Sequence, residues 1–304
     1  MKRAAVLTLL ISTGALAVAV RARQAPPGAQ ADQPKVVEVE KIKDNLYMLK
    51  GGGGNTAVFV TDAGVVIVDT KLAGWGPAIL EKIKTITDKP VTTIINTHTH
   101  GDHTGSNEFF GSSVEIVAHE NTKTNMQKMD AFSGEKAAFL PKKTFKDKLS
   151  LMHGKDQIDL YYFGRGHTNG DAWIVFPALR VVHAGDIFSG RNLPLIDVNN
   201  GGTATEYPRT LTNAWNGLKN VDTIITGHST TLPFADLEQY AAFNQQFLKW
   251  AQGELKAGKS VDEAVADYKP SARFQDYTLQ PARVRSNVKI VYDESEIRGP
   301  GPNK

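Results

Sequence analysis

The sequence predicts an α/β fold, and two patterns support this prediction. Short runs of alternating or fully apolar residues, typical of β-strands, recur from residue 36 to about residue 227, with helix-like segments between them. In addition, polar loops that contain glycine with histidine or aspartate follow several of these runs, and α/β folds often place their binding sites there. A composition of 41% hydrophobic and 22% charged residues fits a globular protein with a substantial core.

The first half of the chain is predicted to contain five strands and one helix. The helix begins near Pro77, because apolar side chains recur there at helical spacing. Its apolar face consists of Ile79, Leu80, Ile83 and Ile86. The predicted strands are residues 36–42, 46–50, 56–60, 65–69 and 91–98.

The second half repeats this theme. Its predicted strands are residues 149–153, 157–163, 172–176, 181–186 and 222–227. Helices are predicted over 206–219 and 236–256, and two further short helices follow near the C-terminus. Since no linker-like change of composition interrupts residues 36–304, we predict a single domain over this range with a helical C-terminal region.

The N-terminus resembles an export signal. Lys2 and Arg3 precede an almost wholly apolar stretch over residues 4–20, and small-x-small cleavage sites follow at residues 17–19 and 29–31. We predict that residues 1–31 are a signal peptide and disordered lead-in, so that the mature protein is periplasmic or secreted. The alternative is a retained membrane anchor, although seventeen residues are at the short limit for a membrane-spanning helix. The absence of cysteine excludes disulfides and thiolate zinc sites.

The charge of the chain gives no reason to expect nucleic acid as a partner. Lys2, Arg3, Arg21 and Arg23 are the only charged residues before Asp32, so removing these four charges changes the formal net charge of +3 to −1 for residues 32–304. We therefore expect a small-molecule substrate, no nucleic acid, and no membrane contact after signal cleavage.

A dense cluster of metal-binding residue types occurs at residues 97–105, THTHGDHTG. Neutral imidazole and carboxylate are ligands that zinc prefers, and packing alone rarely requires so many of them. Five of the eight histidines lie in three polar loops, and an aspartate follows a further apolar run. The candidate metal ligands are His98, His100, Asp102, His103, His167, Asp186 and His228.

The order HxHxDH, GHT, GD and GH resembles the metallo-β-lactamase superfamily over about residues 36–235. The resemblance implies an αββα sandwich of two mixed β-sheets flanked by helices. It also implies that His98, His100 and His167 bind one metal, that Asp102, His103 and His228 bind another, and that Asp186 bridges the two. The implied cofactors are two Zn²⁺, with iron or mixed metals as alternatives.

The resemblance implies hydrolysis by a metal-bridging hydroxide, which Asp102 orients as the catalytic residue. An aspartate at position 186 is similar to the thioesterase, lactonase and general hydrolase branches, whereas dizinc β-lactamases often have cysteine there. We therefore expect an ester, thioester, lactone or amide carbonyl as the substrate. The alternatives are a dedicated β-lactamase, a mononuclear iron sulfur dioxygenase that uses His98, His167 and Asp186, and a metal-containing binding module without turnover.

Several other residues are weaker candidates. Asp69 is expected either to orient a ligand histidine or to cap a turn, and Asp171 to play a capping or orienting role rather than to bind metal. His119, His153 and His183 are interpreted as structural. Residues 51–54 with Asn55 are expected either to border a substrate cleft or to form a flexible hairpin, and residues 129–141 either to form a lid or to pack as a helix on the core. The candidates for substrate recognition are Arg191, Asn199, Asn200 and Tyr207.

Residues 253–260, GELKAGKS, match the phosphate-binding P-loop expression, but the match is rejected. A phosphate loop needs a strand before it, whereas here an amphipathic helix precedes it. Gly258 is interpreted as a helix terminator. No GxSxG motif is present, which leaves a serine hydrolase unsupported.

Overall fold

A computed structural model describes residues 35–297 of the chain. The signal peptide and lead-in predicted for residues 1–31 lie outside this range, and the domain boundaries drawn from the sequence stay predictions. Within residues 35–297, no helix is long and apolar enough to cross a membrane.

Two mixed β-sheets form the centre of the fold. In the first sheet, of seven strands, the order follows the sequence, and the β1–β4 meander is antiparallel while β4 to β7 run parallel. Its strands are β1 (Glu38–Lys43), β2 (Leu46–Lys50), β3 (Thr56–Val60), β4 (Val65–Val68), β5 (Val91–Ile95), β6 (Glu115–His119) and β7 (Lys143–Phe145).

The second sheet has six strands in the order β13-β12-β11-β10-β9-β8. Only β11 and β12 pair in parallel; the other neighbours are antiparallel. The strands are β8 (Lys148–Leu151), β9 (Ile158–Tyr161), β10 (Trp173–Phe176), β11 (Val181–Gly185), β12 (Thr223–Thr226) and β13 (Leu232–Pro233).

Helices cover the outer face of each sheet, so the predicted αββα sandwich is confirmed. Apart from several short 3₁₀ turns, the helices are α1 (Gly76–Lys84), α2 (Gly101–Thr104), α3 (Glu120–Met126), α4 (Tyr207–Gly217), α5 (Asp236–Lys256), α6 (Val261–Asp267) and α7 (Pro281–Ile297).

The core has three parts, one between the sheets and one on each outer face. Strand β4, with the sequence VVIV, shows why: Val66 and Val68 pack between the sheets, whereas Val65 and Ile67 pack towards α1. A strand that is covered on both faces is apolar throughout, since each fully buried aliphatic side chain contributes roughly 1.5–3 kcal/mol.

Most predicted elements are confirmed, and the differences lie where the sequence pattern is weak. The predicted helix over 236–256 matches α5, and Gly258, with φ +75°, follows its end as predicted. The last helix was predicted to be short, but α7 has 17 residues and packs against α5. Strands β6, β7 and β13 and helix α3 were not predicted, because they are brief and their apolar patterns depend on tertiary neighbours.

Candidate metal centre

All seven predicted ligands lie in segments that follow strands at one edge of the sandwich. Parallel β4 and β5 end side by side. The loop after β5 carries His98 and His100, and the short helix α2 that follows carries Asp102 and His103. Parallel β11 and β12 end at the positions that precede Asp186 and His228. Backbone hydrogen bonds join the two sheets here, from Asn55 N to Gly227 O (2.7 Å) and from Ala172 N to Thr97 O (2.8 Å).

The first group of candidate ligands comprises His98, His100, His167 and Asp186, whose donor atoms lie within 4.8 Å of one another. Nε2 of His167 is 3.0 Å from Nδ1 of His100 and 3.8 Å from Oδ2 of Asp186. His98 and His167 are buried. We refer to these four residues as the first group.

The second group comprises Asp102, His103 and His228, whose donor atoms meet the same limit. Nε2 of His228 lies 3.3 Å from Oδ2 of Asp102 and 3.3 Å from Nε2 of His103. His103 is fully buried, whereas the side chains of Asp102 and His228 are 30% and 37% exposed. The second group is therefore the part of the centre that opens towards solvent.

Asp186 faces both groups. Its Oδ2 lies 3.2 Å from Nε2 of His228, and its Oδ1 lies 3.4 Å from Nε2 of His103. The approach requires a glycine at position 227, because a Cβ there would collide with Oδ1 of Asp186. A carboxylate in this place can supply a ligand to each of two adjoining ions.

Hydrogen bonds outside the two groups determine which histidine nitrogen faces inward. Nδ1 of His167 donates to the carbonyl oxygen of Leu195 (2.8 Å), and Nε2 of His100 pairs with Oδ2 of Asp197 (2.7 Å). The lone pairs that remain, on Nε2 of His167 and Nδ1 of His100, face into the first group. Partners of this kind fix the tautomer and ring orientation of metal-binding histidines.

Asp69 plays the same part beside the second group. Its carboxylate lies 2.6 Å from Nδ1 of His103 and accepts hydrogen bonds from the backbone N–H (2.8 Å) and hydroxyl (2.7 Å) of Thr97. Because the Thr97 hydroxyl donates to Asp69, it accepts from Nδ1 of His98 at 2.9 Å. The expectation that Asp69 orients a candidate ligand histidine agrees with these contacts.

Electrostatics in the centre favour a bound cation. Burial would raise the pKa of Asp186, but His103 and His228 hold that pKa well below its ordinary value. Hydrogen bonds to Asp102 and Asp186 raise the pKa of His228 to about 9. Although burial opposes it, the charges of Asp186 and Asp69 raise the pKa of His103 well above its ordinary range. These carboxylates therefore attract positive charge into the centre.

Two orphaned atoms provide a direct test of whether the residues fit metal ions. Within residues 35–297, Nε2 of His98 and Oδ1 of Asp186 are buried and have no hydrogen-bond partner. Such atoms are costly unless something binds them, and both are zinc ligands by type. The donor set of imidazoles and carboxylates thus fits one or two ions of the zinc type.

A cavity of about 620 Å³ opens over the two groups, and its wall includes Arg191 and Arg283. A second, more apolar cavity of about 500 Å³ adjoins Asp102. Its wall includes Phe132 and Phe139, from the segment predicted to be a lid or a core-packing helix. Phe132 is buried, so this segment at least contributes packing.

The weaker candidates separate clearly. Asp171 accepts hydrogen bonds from the backbone N–H and hydroxyl of Thr168, as expected for a capping role. The prediction that Tyr207 recognises substrate is wrong, because this side chain is buried in the core and its hydroxyl donates to the carbonyl of Ile187. Asn200 bonds the carboxylate of Asp197, and both residues stand in the turn beside His100.

The sequence analysis missed Asp197, Lys71 and Arg283. Asp197 lies in a polar loop together with the amides Asn192, Asn199 and Asn200, and its position in the sequence does not show that it contacts His100. Lys71 is completely buried and donates to the carbonyl oxygens of Leu49 (2.9 Å) and Gly54 (2.8 Å). Its position two residues after Asp69, at the end of an apolar strand, was the available signal.

The αββα sandwich and the paired His/Asp groups at its edge define a class of metal-dependent hydrolases. A profile described as the metallo-beta-lactamase superfamily matches residues 49–228, more than half of the chain. The chain therefore belongs to the metallo-beta-lactamase superfamily.

Individual relatives agree with this assignment. "Metallo-beta-lactamase type 2" from Elizabethkingia meningoseptica is 29% identical over 208 residues, which cover 63% of this chain and 78% of that protein. The metallo-beta-lactamase from Pontibacter korlensis has a TM-score of 0.61 at 20% identity and covers 69% of this chain and 99% of its own. The sec-alkylsulfatase Pisa1 from Pseudomonas sp. has a TM-score of 0.69 at 15% identity, over 85% of this chain and 50% of that one. The two structures show likeness of fold alone.

Proposed function

We propose that this chain is an exported hydrolase that binds two zinc ions and cleaves an ester, thioester, lactone or amide carbonyl. The observation that carries the proposal is the pair of adjoining donor groups with Asp186 facing both of them. Bound zinc lowers the pKa of coordinated water to near ~7 and polarises a carbonyl oxygen, which is the chemistry that such a centre would supply.

We assign metal-binding and catalytic roles to the residues of the centre. His98, His100 and His167 would hold one ion, Asp102, His103 and His228 would hold the other, and Asp186 would contribute to both. Asp102 is the catalytic residue, because its half-buried carboxylate lies beside both cavities and is positioned to orient the attacking water and accept its proton.

The substrate class follows from the shared aspartate, which resembles the general hydrolase branches more than the dedicated β-lactamases. A β-lactam is the narrower candidate within the amide class, given the named function of the Elizabethkingia relative. A mononuclear iron sulfur dioxygenase would use only His98, His167 and Asp186 and would leave the second group without a role. Export rests on the basic and apolar N-terminus, with the periplasm or the exterior as destination.

The experiment measures zinc content and turnover of the purified mature protein on lactams, lactones, thioesters and esters. We expect about two equivalents of zinc. We also expect Asp102→Ala to lose about 10²–10⁴-fold in kcat, the usual contribution of a general base. Asp44→Asn, in the exposed turn between β1 and β2, is the matched control and keeps full activity. Near-zero zinc content, or an unchanged kcat in Asp102→Ala, would refute the proposal.

A further inference from the structure

The start of the C-terminal helix contributes one wall of the cavity over the metal centre. Backbone hydrogen bonds from Thr278 N to Arg191 O (2.9 Å) and from Leu193 N to Thr278 O (3.2 Å) attach this segment to the loop that follows β11. Gln280 and Arg283 line the cavity together with His100, Asp102 and His228. This wall lies outside residues 49–228, the range that matches the superfamily profile.

The two arginines in the cavity differ in their partners. Arg191 donates from Nε (2.9 Å) and Nη2 (2.6 Å) to Asp236, and from Nη1 to Asp276 (3.0 Å). Its charge is therefore balanced by two carboxylates, and its donors are engaged. The Arg283 guanidinium has neither a hydrogen bond nor an ion pair with any group in residues 35–297.

An unpaired guanidinium in this position is energetically unfavourable. Burial lowers the pKa of Arg283, opposed by Tyr240, Tyr207 and Asp186, and Asp186 is the only carboxylate among these three. Its oxygens face the histidines of the centre. A half-buried arginine without a partner loses hydration without gaining hydrogen bonds. Its planar, five-donor group would regain them by binding a carboxylate in a bidentate manner.

We propose that Arg283 is a specificity-determining residue that binds a carboxylate of the substrate, at a distance from the carbonyl that is cleaved. This inference rests on the proposed function, since it names the substrate class of the same site. Gln280, on the same wall, offers an amide beside it. The enzyme would then prefer esters or amides of dicarboxylic or carboxylate-bearing acids over their neutral counterparts.

The test compares two esters that share a leaving group and differ in charge, 4-nitrophenyl butyrate and mono-4-nitrophenyl glutarate. The readout is the kcat/KM of the zinc-loaded enzyme for the charged glutarate ester divided by its kcat/KM for the neutral butyrate ester. We expect this ratio to fall about tenfold or more in Arg283→Met, the usual loss for a hydrogen-bonded charge pair. Arg283→Lys retains part of the ratio, because a lysine keeps the charge without the bidentate geometry.

Arg285→Met is the matched control. Arg285 is exposed on the same helix and pairs with Asp262, away from the cavity, so this variant keeps the wild-type ratio. Thermal unfolding of each variant verifies that it folds. If both esters are hydrolysed and Arg283→Met keeps the wild-type ratio, the inference is wrong while the proposed function stands.

If neither ester is hydrolysed, the proposed function fails for these substrates, and calorimetry tests the inference separately. Monomethyl glutarate, a monoanion, is compared with neutral dimethyl glutarate on the wild type and on Arg283→Met. Binding of the monoanion that weakens about tenfold in the variant supports the carboxylate site. Equal binding by the two proteins, or no preference of the wild type for the monoanion, overturns it.

Discussion

The two donor groups of the centre are built differently. In the first group, His98 and His167 are buried, and the three histidines are hydrogen bonded at their outer nitrogens to Thr97, Asp197 and the Leu195 carbonyl. In the second group, His103 has such a partner, Asp69, whereas the imidazole of His228 has none among residues 35–297 and is more than a third exposed.

From this difference we expect the first group to bind its metal ion more tightly and the second group to be the one that substrate reaches. A group whose rings are oriented in advance loses little conformational entropy when an ion binds, so the first group is expected to bind more tightly. The partly exposed side chains of Asp102 and His228 leave the second group accessible to substrate. We therefore expect the ion in the second group to leave first when a chelator is added.

Asp186→Asn should have the largest effect, because Asp186 faces both groups. In this variant each group loses a charged ligand. Losing only a hydrogen-bond partner of a ligand lowers metal affinity or activity about 10–100-fold in metal centres. We therefore expect kcat/KM to fall by about a thousandfold or more. Elemental analysis should show fewer than one equivalent of zinc per chain. Two retained equivalents would contradict a shared ligand.

His98→Ala and His228→Ala separate the groups. We expect His228→Ala to keep about one equivalent of zinc, because the better oriented first group is intact. His98→Ala should retain less zinc than His228→Ala, because the group that remains intact is the weaker one. With zinc supplied, His98→Ala should also unfold at a lower temperature than His228→Ala. Each variant should lose more activity than the removal of an outer partner costs, about 10–100-fold. Identical zinc retention in the two variants would remove the distinction between the groups.

Asp197→Asn and Asp69→Asn probe the outer partners, one for each group. Each substitution weakens the fixed orientation of a candidate ligand histidine and should lower zinc affinity about 10–100-fold. In a chelator titration with two release steps, Asp197→Asn should shift the tighter step and Asp69→Asn the weaker one. The opposite assignment would exchange the roles given to the two groups.

Lys71 contacts the second group indirectly, through Gly54. Substituting it should have the smallest effect of the changes considered, and that effect is on the free energy of unfolding. Lys71 holds the Gly54 carbonyl, and Gly54 packs so closely on His103 that a Cβ would collide with the imidazole. Burial lowers the pKa of Lys71 from 10.5 to about 7. Between these values the unfolded chain binds more protons than the folded chain, so the free energy of unfolding rises with pH.

Lys71 can raise the free energy of unfolding by at most about 1.4 kcal/mol per pH unit in this range. Urea unfolding at pH 7.5 and 9.5 measures it, with Lys71→Met as the comparison. The variant should be less stable, because two carbonyl oxygens lose their donor, and the rise of its stability between the two pH values should be smaller. An equal rise in both proteins would show that Lys71 does not titrate in this window.

Much of the fold was predictable because its strands are strongly apolar. Strand β4 and helix α5 were predicted to within a residue, since a fully buried strand and a long amphipathic helix have distinct periodicities. Strands β6 and β7 were missed, because their short segments become strands through parallel pairing with neighbours that are distant in sequence. The length of α7 was underestimated for a similar reason, as its core positions face α5.

The sequence by itself determined the types of metal-ligand side chain, their order and therefore the family. The HxHxDH motif places four such side chains within six residues, and this local spacing is a property of the chain alone. Only the tertiary structure decided which distant partners surround these donors: Asp69 and Asp197 behind the histidines, Lys71 behind the glycine loop, and the unpaired Arg283 across the cavity. Those contacts depend on how two sheets meet and where a C-terminal helix packs, and long-range packing leaves no fixed spacing in the sequence.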